Sequence, residues 1–267
     1  MAHELDRLVE AVLAGRKYRN VCGEFVRNVG ARELARRRNL KEAIKATKNK
    51  LHQVGGAYLE GRLDYAGRLD ELRRAAEAGD GQALRKVCRE VMGQQSSTRE
   101  RLAILDQFYA TVLAGLGPIR SVLDVACGLN PLAIPWMPLA EDASYYAYDI
   151  YYDMVQFLNA FLAWMPVRGR AGARDVTASC PTERVDLALL LKAIPCLDQV
   201  DPAAGARLLE TLDARYLVVS FPVHSLHGRE KGMVVNYESR FRQLVAGWDW
   251  RVERFEFATE LAFLVIR

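Results

Sequence analysis

The segment 121–131 constrains the fold of this chain more than any other part of its sequence. An apolar run ends at Asp124 and leads at once into a turn of small residues, Ala126-Cys127-Gly128. A turn without bulky side chains lets a ligand approach the backbone closely at the carboxyl end of a strand, where open α/β sheets bind nucleotides. The segment therefore predicts the first strand of an α/β fold and a ligand-binding turn after it.

Strand-like and helix-like segments alternate from Ile119 to the C-terminus. The predicted strands cover residues 121–126, 145–150, 186–192, 216–221, 251–258 and 260–267. This alternation predicts an α/β fold with a mostly parallel sheet covered on both faces, and the last two segments predict a C-terminal antiparallel hairpin.

The part of the chain before residue 105 has a helical pattern instead. Its first apolar stripe, at helical spacing, consists of Leu5, Leu8, Val9, Val12 and Leu13. Further helices are predicted over residues 24–37, 40–51, 65–78, 82–92 and 98–115. We therefore predict an all-helical domain over residues 1–105 and a ligand-binding α/β domain over residues 106–267.

The formal net charge of +4 is unevenly distributed between these two parts. Residues 1–105 hold 22 Lys+Arg and 14 Asp+Glu, whereas residues 106–267 hold 15 and 19. Such a basic helical part suggests a polyanion-binding arm joined to a domain with another task. The alternative that charge alone leaves open is a helical surface whose basic side chains only contact solvent.

Composition narrows the class of protein. At 51% apolar and 26% charged residues the chain is typical of a globular protein. It has neither an uncharged run of about 18 residues, as a membrane span requires, nor a signal-peptide core. Five cysteines without a C-x-x-C pair suit reduced thiols. We expect a cytoplasmic protein, and no metal site because the histidines lack zinc-ligand spacing.

Two further acidic residues indicate the kind of ligand. Asp149 ends the second predicted strand and can accept both ribose hydroxyls of an adenosine. Asp175 is placed to accept from the exocyclic amine of adenine, although either acid taken singly could be a surface residue. The chain has neither G-x-G-x-x-G nor G-x-x-x-x-G-K-[ST]. An adenosyl cofactor without phosphates therefore fits better than a dinucleotide or a triphosphate.

This spacing resembles the class I S-adenosylmethionine-dependent methyltransferases, and longer strings narrow the resemblance. They are CGLNPL at 127–132, STRER at 97–101, LLLKAIPCL at 189–197, VSFP at 219–222 and GREKGM at 228–233. In this order they resemble the aminoglycoside-resistance 16S rRNA (guanine-N7)-methyltransferases over nearly the whole chain. The resemblance implies S-adenosyl-L-methionine as cofactor and the decoding-site helix of 16S rRNA in the 30S ribosomal subunit as substrate. We expect a monomer and no membrane association.

When the family's motifs are matched to this sequence, the resemblance implies a cofactor pocket with residues from both parts of the chain. Its members are Tyr58, Gln95, Ser96, Ser97, Arg101, Ala126, Gly128, Asp149, Asp175, Val176, Leu191, Gln199 and Val200. Arg101 would pair with the methionine carboxylate, for which a guanidinium fork is well shaped; an exposed helix arginine is the alternative. Family members have histidine where this chain has Gln95, and a polar residue where it has Val200.

Basic residues are predicted to bind the RNA. Those in the helical part are Arg16, Lys17, Arg36, Arg37, Arg38, Lys45, Lys48 and Lys50, which can contact phosphates. Lys192 ends the predicted strand 186–192, close to where the resemblance places the target base, with a lysine lying along apolar surface as the alternative. Arg229 and Lys231 belong to a glycine-containing loop predicted to cover the mouth of the site, or to form a plain surface loop.

The implied chemistry requires no acid or base from the protein. Guanine N7 has a lone pair and no proton, so we assign no catalytic residue, and positioning would supply the rate enhancement. The target lies in a structured helix and would have to be distorted or flipped, at a cost of a few kcal/mol. Two alternatives stay open. One is methylation of adenine N1 at the same ribosomal site, and the other is a non-catalytic RNA-binding protein on the same fold.

Overall fold

The computed structural model describes residues 2–56, 63–223 and 232–267. Its N-terminal part is helical, as predicted. The helices are α1 (Ala2–Leu13), α2 (Gly23–Arg36), α3 (Leu40–Leu51), α4 (Tyr65–Glu77), α5 (Gly81–Met92), α6 (Ser96–Arg101) and α7 (Leu105–Val112), with a π-helical turn at His52–Gly56. Side chains cap three of them: Asn39 before α3, Asp64 before α4 and Asp80 before α5 each accept a backbone N–H of the first turn.

The C-terminal part is an α/β sheet with helices between its strands. The strands are β1 (Ile119–Val125), β2 (Leu139–Asp149), β3 (Val167–Ala173), β4 (Val185–Leu191), β5 (Ala214–Pro222), β6 (Arg251–Glu256) and β7 (Glu260–Ile266). The helices are α8 (Tyr152–Leu162), α9 (Ile194–Val200), α10 (Ala204–Thr211) and α11 (Met233–Val245), and a 3-10 segment, Asn130–Trp136, follows β1.

The strand order is β3-β2-β1-β4-β5-β7-β6. Strands β1 to β5 run parallel, while β7 pairs antiparallel with both β5 and β6. This confirms the predicted mostly parallel sheet and its C-terminal hairpin. The order reverses at β1, which lies between β2 and β4, so the loops after these three strands meet at one edge and leave a crevice there.

Two sequence predictions of local structure are wrong. Strand β3 was not predicted, because its residues VRGRAGA mix arginine and glycine with small side chains and lack an apolar stripe. The single helix predicted over residues 98–115 is two helices. The backbone leaves the helical region at Ile104, and the break allows α6 to bury Arg101 while α7 buries Phe108 and Tyr109.

The buried side chains fall into three clusters. Helices α4, α5 and α7 pack with α8 on one face of the sheet, and α9, α10 and α11 pack on the other. Helices α1 to α3 bury a cluster of their own that reaches Val200 at the end of α9. None of the described helices is long and apolar enough to cross a membrane.

Backbone contacts fix α2 against the sheet. Val21 forms an antiparallel bridge with Tyr151, and the Cys22 N–H donates to the Ile150 carbonyl at 2.7 Å. The Tyr152 N–H donates in turn to the Asn20 carbonyl at 2.8 Å. Helix α2 therefore begins beside the carboxyl end of β2, where the crevice opens.

Candidate functional site

An open cavity, with about 790 Å³ of empty space that includes its mouth, lies at the carboxyl ends of β1, β2 and β4. Ala126 follows β1, Asp149 ends β2 and Leu191 ends β4, while Phe25 of α2 and Val54 of the π-helical turn contribute from the N-terminal part. The cavity thus lies at the switch point of the sheet, as the sequence predicts for the ligand site.

Eight of the predicted cofactor residues line this cavity. They are Gln95, Ser97, Ala126, Asp149, Asp175, Val176, Leu191 and Val200. The structure therefore brings together residues from the start of α6, the ends of β1 to β4, and α9, which lie far apart in the sequence. Their contacts with a cofactor stay a prediction.

The turn after β1 is shaped by the side chain of Gln95. Gly128 has φ +52°, a region that favours glycine, and a Cβ there would lie 2.3 Å from Gln95 Oε1 and displace that side chain. The same Oε1 accepts the Leu129 N–H at 2.7 Å. Gln95 therefore holds the turn as a hydrogen-bond acceptor, a role that needs no titrating group.

Asp149 is a buried carboxylate that is only partly satisfied by its neighbours. Oδ2 accepts the Gly128 N–H at 2.9 Å and Oδ1 accepts the Ile150 N–H at 2.7 Å. Burial raises the pKa of Asp149, and the backbone N–H groups of Gly128, Ile150 and Tyr151 oppose the rise. A carboxylate offers about four acceptor positions, so this arrangement leaves room to accept from a ribose hydroxyl.

Asp175 is fully buried in the cavity wall. Oδ1 accepts from the Thr177 N–H at 2.9 Å and from the Thr177 hydroxyl at 2.6 Å, while Oδ2 accepts from Asn28 Nδ2 at 2.8 Å. Val176 and Leu191 add apolar wall. Two buried carboxylates with apolar surface near them fit an adenosyl group, whose sugar and base amine are donors and whose ring is apolar.

Arg101 requires a correction. It is 1% exposed, and its guanidinium donates to both carboxylate oxygens of Glu260, with Nη2 to Oε1 at 2.7 Å, and to Asn130 Oδ1 at 2.9 Å. It does not line the described cavity. The predicted guanidinium free for a methionine carboxylate is therefore wrong for this structure, because Glu260 of β7 already occupies the fork.

Lys192 also has partners inside the protein. Its side chain lines the cavity but is 5% exposed, with Nζ 2.7 Å from Glu100 Oε2 and 3.2 Å from the Ser97 carbonyl. Its backbone has φ +57°, and its N–H donates to Ser220. Lys192 is therefore a buried cation of the cavity wall, and its contact with RNA stays a prediction.

The remaining predicted cofactor residues lie elsewhere. Ser96 is buried, and neither it nor Gly128 is among the described lining residues, although the Gly128 N–H supports Asp149. Gln199 lines a different cavity, described below. Tyr58 lies outside the residues that the structure describes, as do Arg229, Lys231, His224 and His227.

A buried polar network lies behind the turn. Asp124 Oδ2 accepts from Asn130 Nδ2 at 2.8 Å and from the Tyr145 hydroxyl at 2.7 Å. Oδ1 of Asp124 is buried without a partner among the described atoms. Burial raises the pKa of Asp124 to about 7, against the lowering effect of those two hydrogen bonds. Asn130 also contacts Arg101, so this network joins β1 to the buried ion pair.

A basic cleft lies between α2, α3 and the end of α9. We define the basic cleft by its cationic lining residues, Arg32, Arg36, Arg37, Lys45 and Lys50. Two carboxylates, Glu33 and Glu42, also line it, and Arg37 pairs with Glu33 at 2.8 Å. Val200 lines both the basic cleft and the cavity at the strand ends. Four predicted phosphate-binding residues thus converge on one surface beside the cavity.

The other predicted phosphate-binding residues surround α1 and α3. Arg16, Lys17 and Arg38 are exposed, and Lys48 is half-buried. Lys17 Nζ lies 3.0 Å from His52 Nδ1.

The sequence reasoning missed several residues of the cavity wall. Phe25, Tyr151, Arg174 and Thr177 line it, and Asn28 supports it from outside. Arg174 and Thr177 flank the predicted pair Asp175-Val176, and that proximity was an available signal. Phe25 and Asn28 lie on an amphipathic helix whose sequence gives no indication that it reaches a ligand site.

Known proteins share this architecture along the whole chain. A family model described as "Ribosomal RNA methyltransferase (FmrO)" matches residues 14–265. The 16S rRNA (guanine(1405)-N(7))-methyltransferase of Micromonospora rosea is 35% identical over 263 residues, covering 98% of this chain and 96% of the relative. A protein of the same name from Frankia casuarinae is 38% identical over 266 residues, covering 98% and 94%. The crystal structure of the 16S rRNA methyltransferase RmtF in complex with S-adenosyl-L-homocysteine has a TM-score of 0.82 at 32% identity, covering 100% of this chain and 99% of that one.

Proposed function

The chain belongs to the FmrO family of ribosomal RNA methyltransferases, and from this premise we propose that its substrate is the assembled 30S ribosomal subunit. It is an S-adenosyl-L-methionine-dependent 16S rRNA (guanine(1405)-N7)-methyltransferase of the aminoglycoside-resistance type. The observation that carries the proposal is the adjacency of the two cavities. A site that fits an adenosyl group lies on one side of Val200, and the basic cleft lies on the other.

The division of labour follows from these two sites. When bound, S-adenosyl-L-methionine supplies the methyl group. Asp149 and Asp175 would hold its adenosine, while Leu191 and Val176 exclude water from the base. Guanine N7 needs no deprotonation, so the protein's task is to align the nucleotide with the cofactor and to keep the site dry. We therefore propose no general acid or base among its residues.

We propose that residues 1–105 dock the ribosomal RNA and that residues 106–267 carry the methyl transfer. The exposed cations of α2 and α3 support this division, because phosphate contacts supply the sequence-independent part of RNA affinity. Arg36, Arg37, Lys45 and Lys50 would seat phosphates in the basic cleft. Recognition would depend on the shape of the folded RNA rather than on reading bases. We further propose that the protein acts as a monomer in the cytoplasm.

The comparisons do not favour either alternative. Methylation of adenine N1 at the decoding site and a silent RNA-binding role both depart from the relatives named above, which are guanine-N7 methyltransferases by name. Mapping of the modified base separates the first alternative from the proposal, and transfer of a labelled methyl group separates the second.

The direct experiment is methylation of purified 30S subunits from a susceptible bacterium. We expect N7-methylguanine in the decoding-site helix, detected as a reverse-transcription stop after borohydride and aniline treatment. Naked 16S rRNA is the control substrate, because it has the same sequence without the ribosomal proteins. Methylation of 30S subunits but not of naked RNA supports the proposed substrate, whereas equal methylation of both would refute the requirement for an assembled particle.

The drug profile of a susceptible strain that expresses the chain is an independent readout. We expect high resistance to gentamicin and kanamycin together with sensitivity to apramycin. Resistance that includes apramycin would instead indicate adenine N1 as the target.

A further inference from the structure

Asn28 connects the docking helix α2 to the base-binding end of the cavity. Its Nδ2 donates to Asp175 Oδ2 at 2.8 Å and to Thr177 Oγ1 at 3.1 Å. It does not itself belong to the described lining of the cavity. Any influence of Asn28 on a ligand must therefore pass through the two lining residues to which it donates, Asp175 and Thr177.

The orientation of the Asn28 amide is determined by Arg32, one helical turn further along α2. Arg32 Nε donates to Asn28 Oδ1 at 3.3 Å, and a guanidinium can only donate. The oxygen of the amide therefore faces Arg32, and its NH₂ group faces Asp175. The Arg32 guanidinium is fixed in turn by two acceptors: Nη1 donates to the Val200 carbonyl at 2.9 Å, and Nη2 donates to Asp201 Oδ2 at 3.2 Å.

The acceptor positions of Asp175 can be counted. Thr177 donates twice to Oδ1, and Asn28 donates once to Oδ2. A carboxylate has about four lone-pair positions, so among the described residues three are used and one, on Oδ2, is left for a ligand. Because Asn28 occupies the other position on Oδ2, it fixes the direction in which the last one points.

We propose that Asn28 is a positioning residue that makes the site selective for a base with an exocyclic amine. It holds Asp175 so that the remaining acceptor position meets an amine and repels a carbonyl oxygen. The inference rests on the proposed cofactor site, and it assigns to α2 a part in choosing the cofactor as well as in docking RNA.

Calorimetry with S-adenosylhomocysteine and S-inosylhomocysteine tests this proposal, since the two differ in the amine and the carbonyl at one ring position. For the wild-type protein we expect a preference of about 100-fold for the adenosyl compound, the effect of one hydrogen bond to a charged group. For Asn28→Ala we expect the preference to fall to about 10-fold or less, through weaker adenosyl binding.

Asn20→Ala is the matched control. Asn20 Nδ2 donates to Asp153 Oδ2 at 2.6 Å, a second asparagine-to-aspartate bond that joins the N-terminal part to α8, and neither residue lines the described cavity. The proposal expects Asn20→Ala to keep the wild-type preference. If Asn28→Ala weakens the binding of both compounds equally, Asn28 has only a structural role and the proposal is overturned. The same holds if Asn20→Ala lowers the preference as much as Asn28→Ala does.

A second variant covers the case in which Asn28→Ala folds poorly. Asn28→Asp keeps the shape of the side chain, but an ionised carboxylate cannot donate to Asp175. We expect adenosyl binding at pH 8 to be weaker in Asn28→Asp than in Asn28→Ala, because the variant places an acceptor where Asp175 needs a donor. Wild-type binding of Asn28→Asp at pH 8 would overturn the proposal.

The proposal and the proposed function can fail separately. If the wild-type protein methylates 30S subunits but shows no preference between the two compounds, only the role of Asn28 is overturned. If the preferences behave as expected but no subunit is methylated, only the proposed function fails. If the wild-type protein binds neither compound, both fail.

Discussion

Arg101 and Glu260, separated by 158 residues of intervening chain, form an ion pair in which both side chains are at most 1% exposed. The pair joins α6 to the first residue of β7, and Ser220 of β5 donates a further hydrogen bond of 2.6 Å to the same carboxylate. A charge buried this deeply depends on its partner, since neither could reach water if the other were removed.

We therefore expect Arg101→Met alone to lower the free energy of unfolding by about 3–5 kcal/mol. The double variant Arg101→Met/Glu260→Leu should recover part of that loss, because it also removes the buried carboxylate, for which Lys192 at 3.5 Å is the cation left nearby among the described residues. Urea denaturation of both variants and of the wild-type protein measures the two values. A double variant less stable than Arg101→Met would contradict this account of the pair.

Asp149→Ala should weaken S-adenosylhomocysteine binding by about 100-fold in calorimetry, because hydrogen bonding of the ribose to a charged carboxylate is lost. Asp153→Ala is the matched control, since Asp153 is a nearby carboxylate that bonds to Asn20 and does not line the described cavity. A similar loss of affinity in both variants would show that the effect comes from the region around α8 rather than from the ribose.

Lys45→Glu should leave cofactor affinity unchanged and weaken binding of the 30S subunit. Lys45 is exposed and lines the basic cleft. We expect the slope of log affinity against log salt concentration to shrink by about 1. Lys86→Glu, an equal charge change at an exposed position of α5, is the control and should keep the wild-type slope. Identical slopes for the two variants would remove the basic cleft from the docking surface.

Asp124 should make the protein less stable as the pH rises. Burial raises its pKa from 3.8 to about 7, so the folded state favours the protonated carboxyl. The resulting stabilisation is complete below the pKa of the unfolded chain and is lost as the pH rises through 7. The compared quantity is the change in the free energy of unfolding between pH 5 and pH 8. The wild-type protein should lose up to about 3 kcal/mol more over this range than Asp124→Asn.

Urea denaturation at the two pH values measures this difference. Asp70→Asn, at a largely exposed carboxylate of α4, is the control and should follow the wild-type protein. If Asp124→Asn shows the same pH dependence as the wild-type protein, the carboxyl of Asp124 is ionised in the folded state throughout this range.

The sequence predicted the parts of the fold that depend on local pattern. The strand ends at Asp124 and Asp149 were predicted because an apolar run that stops at an acid is visible in a few residues. Helix α3 was predicted with the observed bounds, since Asn39 supplies a cap and Leu51 ends the apolar stripe. Strand β3 was missed because it has no apolar face to detect.

The contacts that sequence reasoning missed are those between distant segments. The sequence indicates that Arg101 can pair with a carboxylate, but it does not indicate that Glu260 on the last strand supplies one. Nothing near Asn28 indicates that its amide reaches Asp175. Charge counting located the basic part of the chain, yet it could not show that α4 and α5 bury their apolar faces against the sheet.

The position of Val200, as a lining residue of both the cofactor cavity and the basic cleft, offers a route to inhibitors. An adenosine-like compound that occupies only the cavity at the strand ends would make contacts that any adenosyl-binding protein offers. A compound whose adenosine head carries an anionic tail past Val200 would also reach the guanidinium groups of α2. Its affinity would then depend on a neighbour that belongs to this docking helix, which gives medicinal chemistry a basis for selectivity.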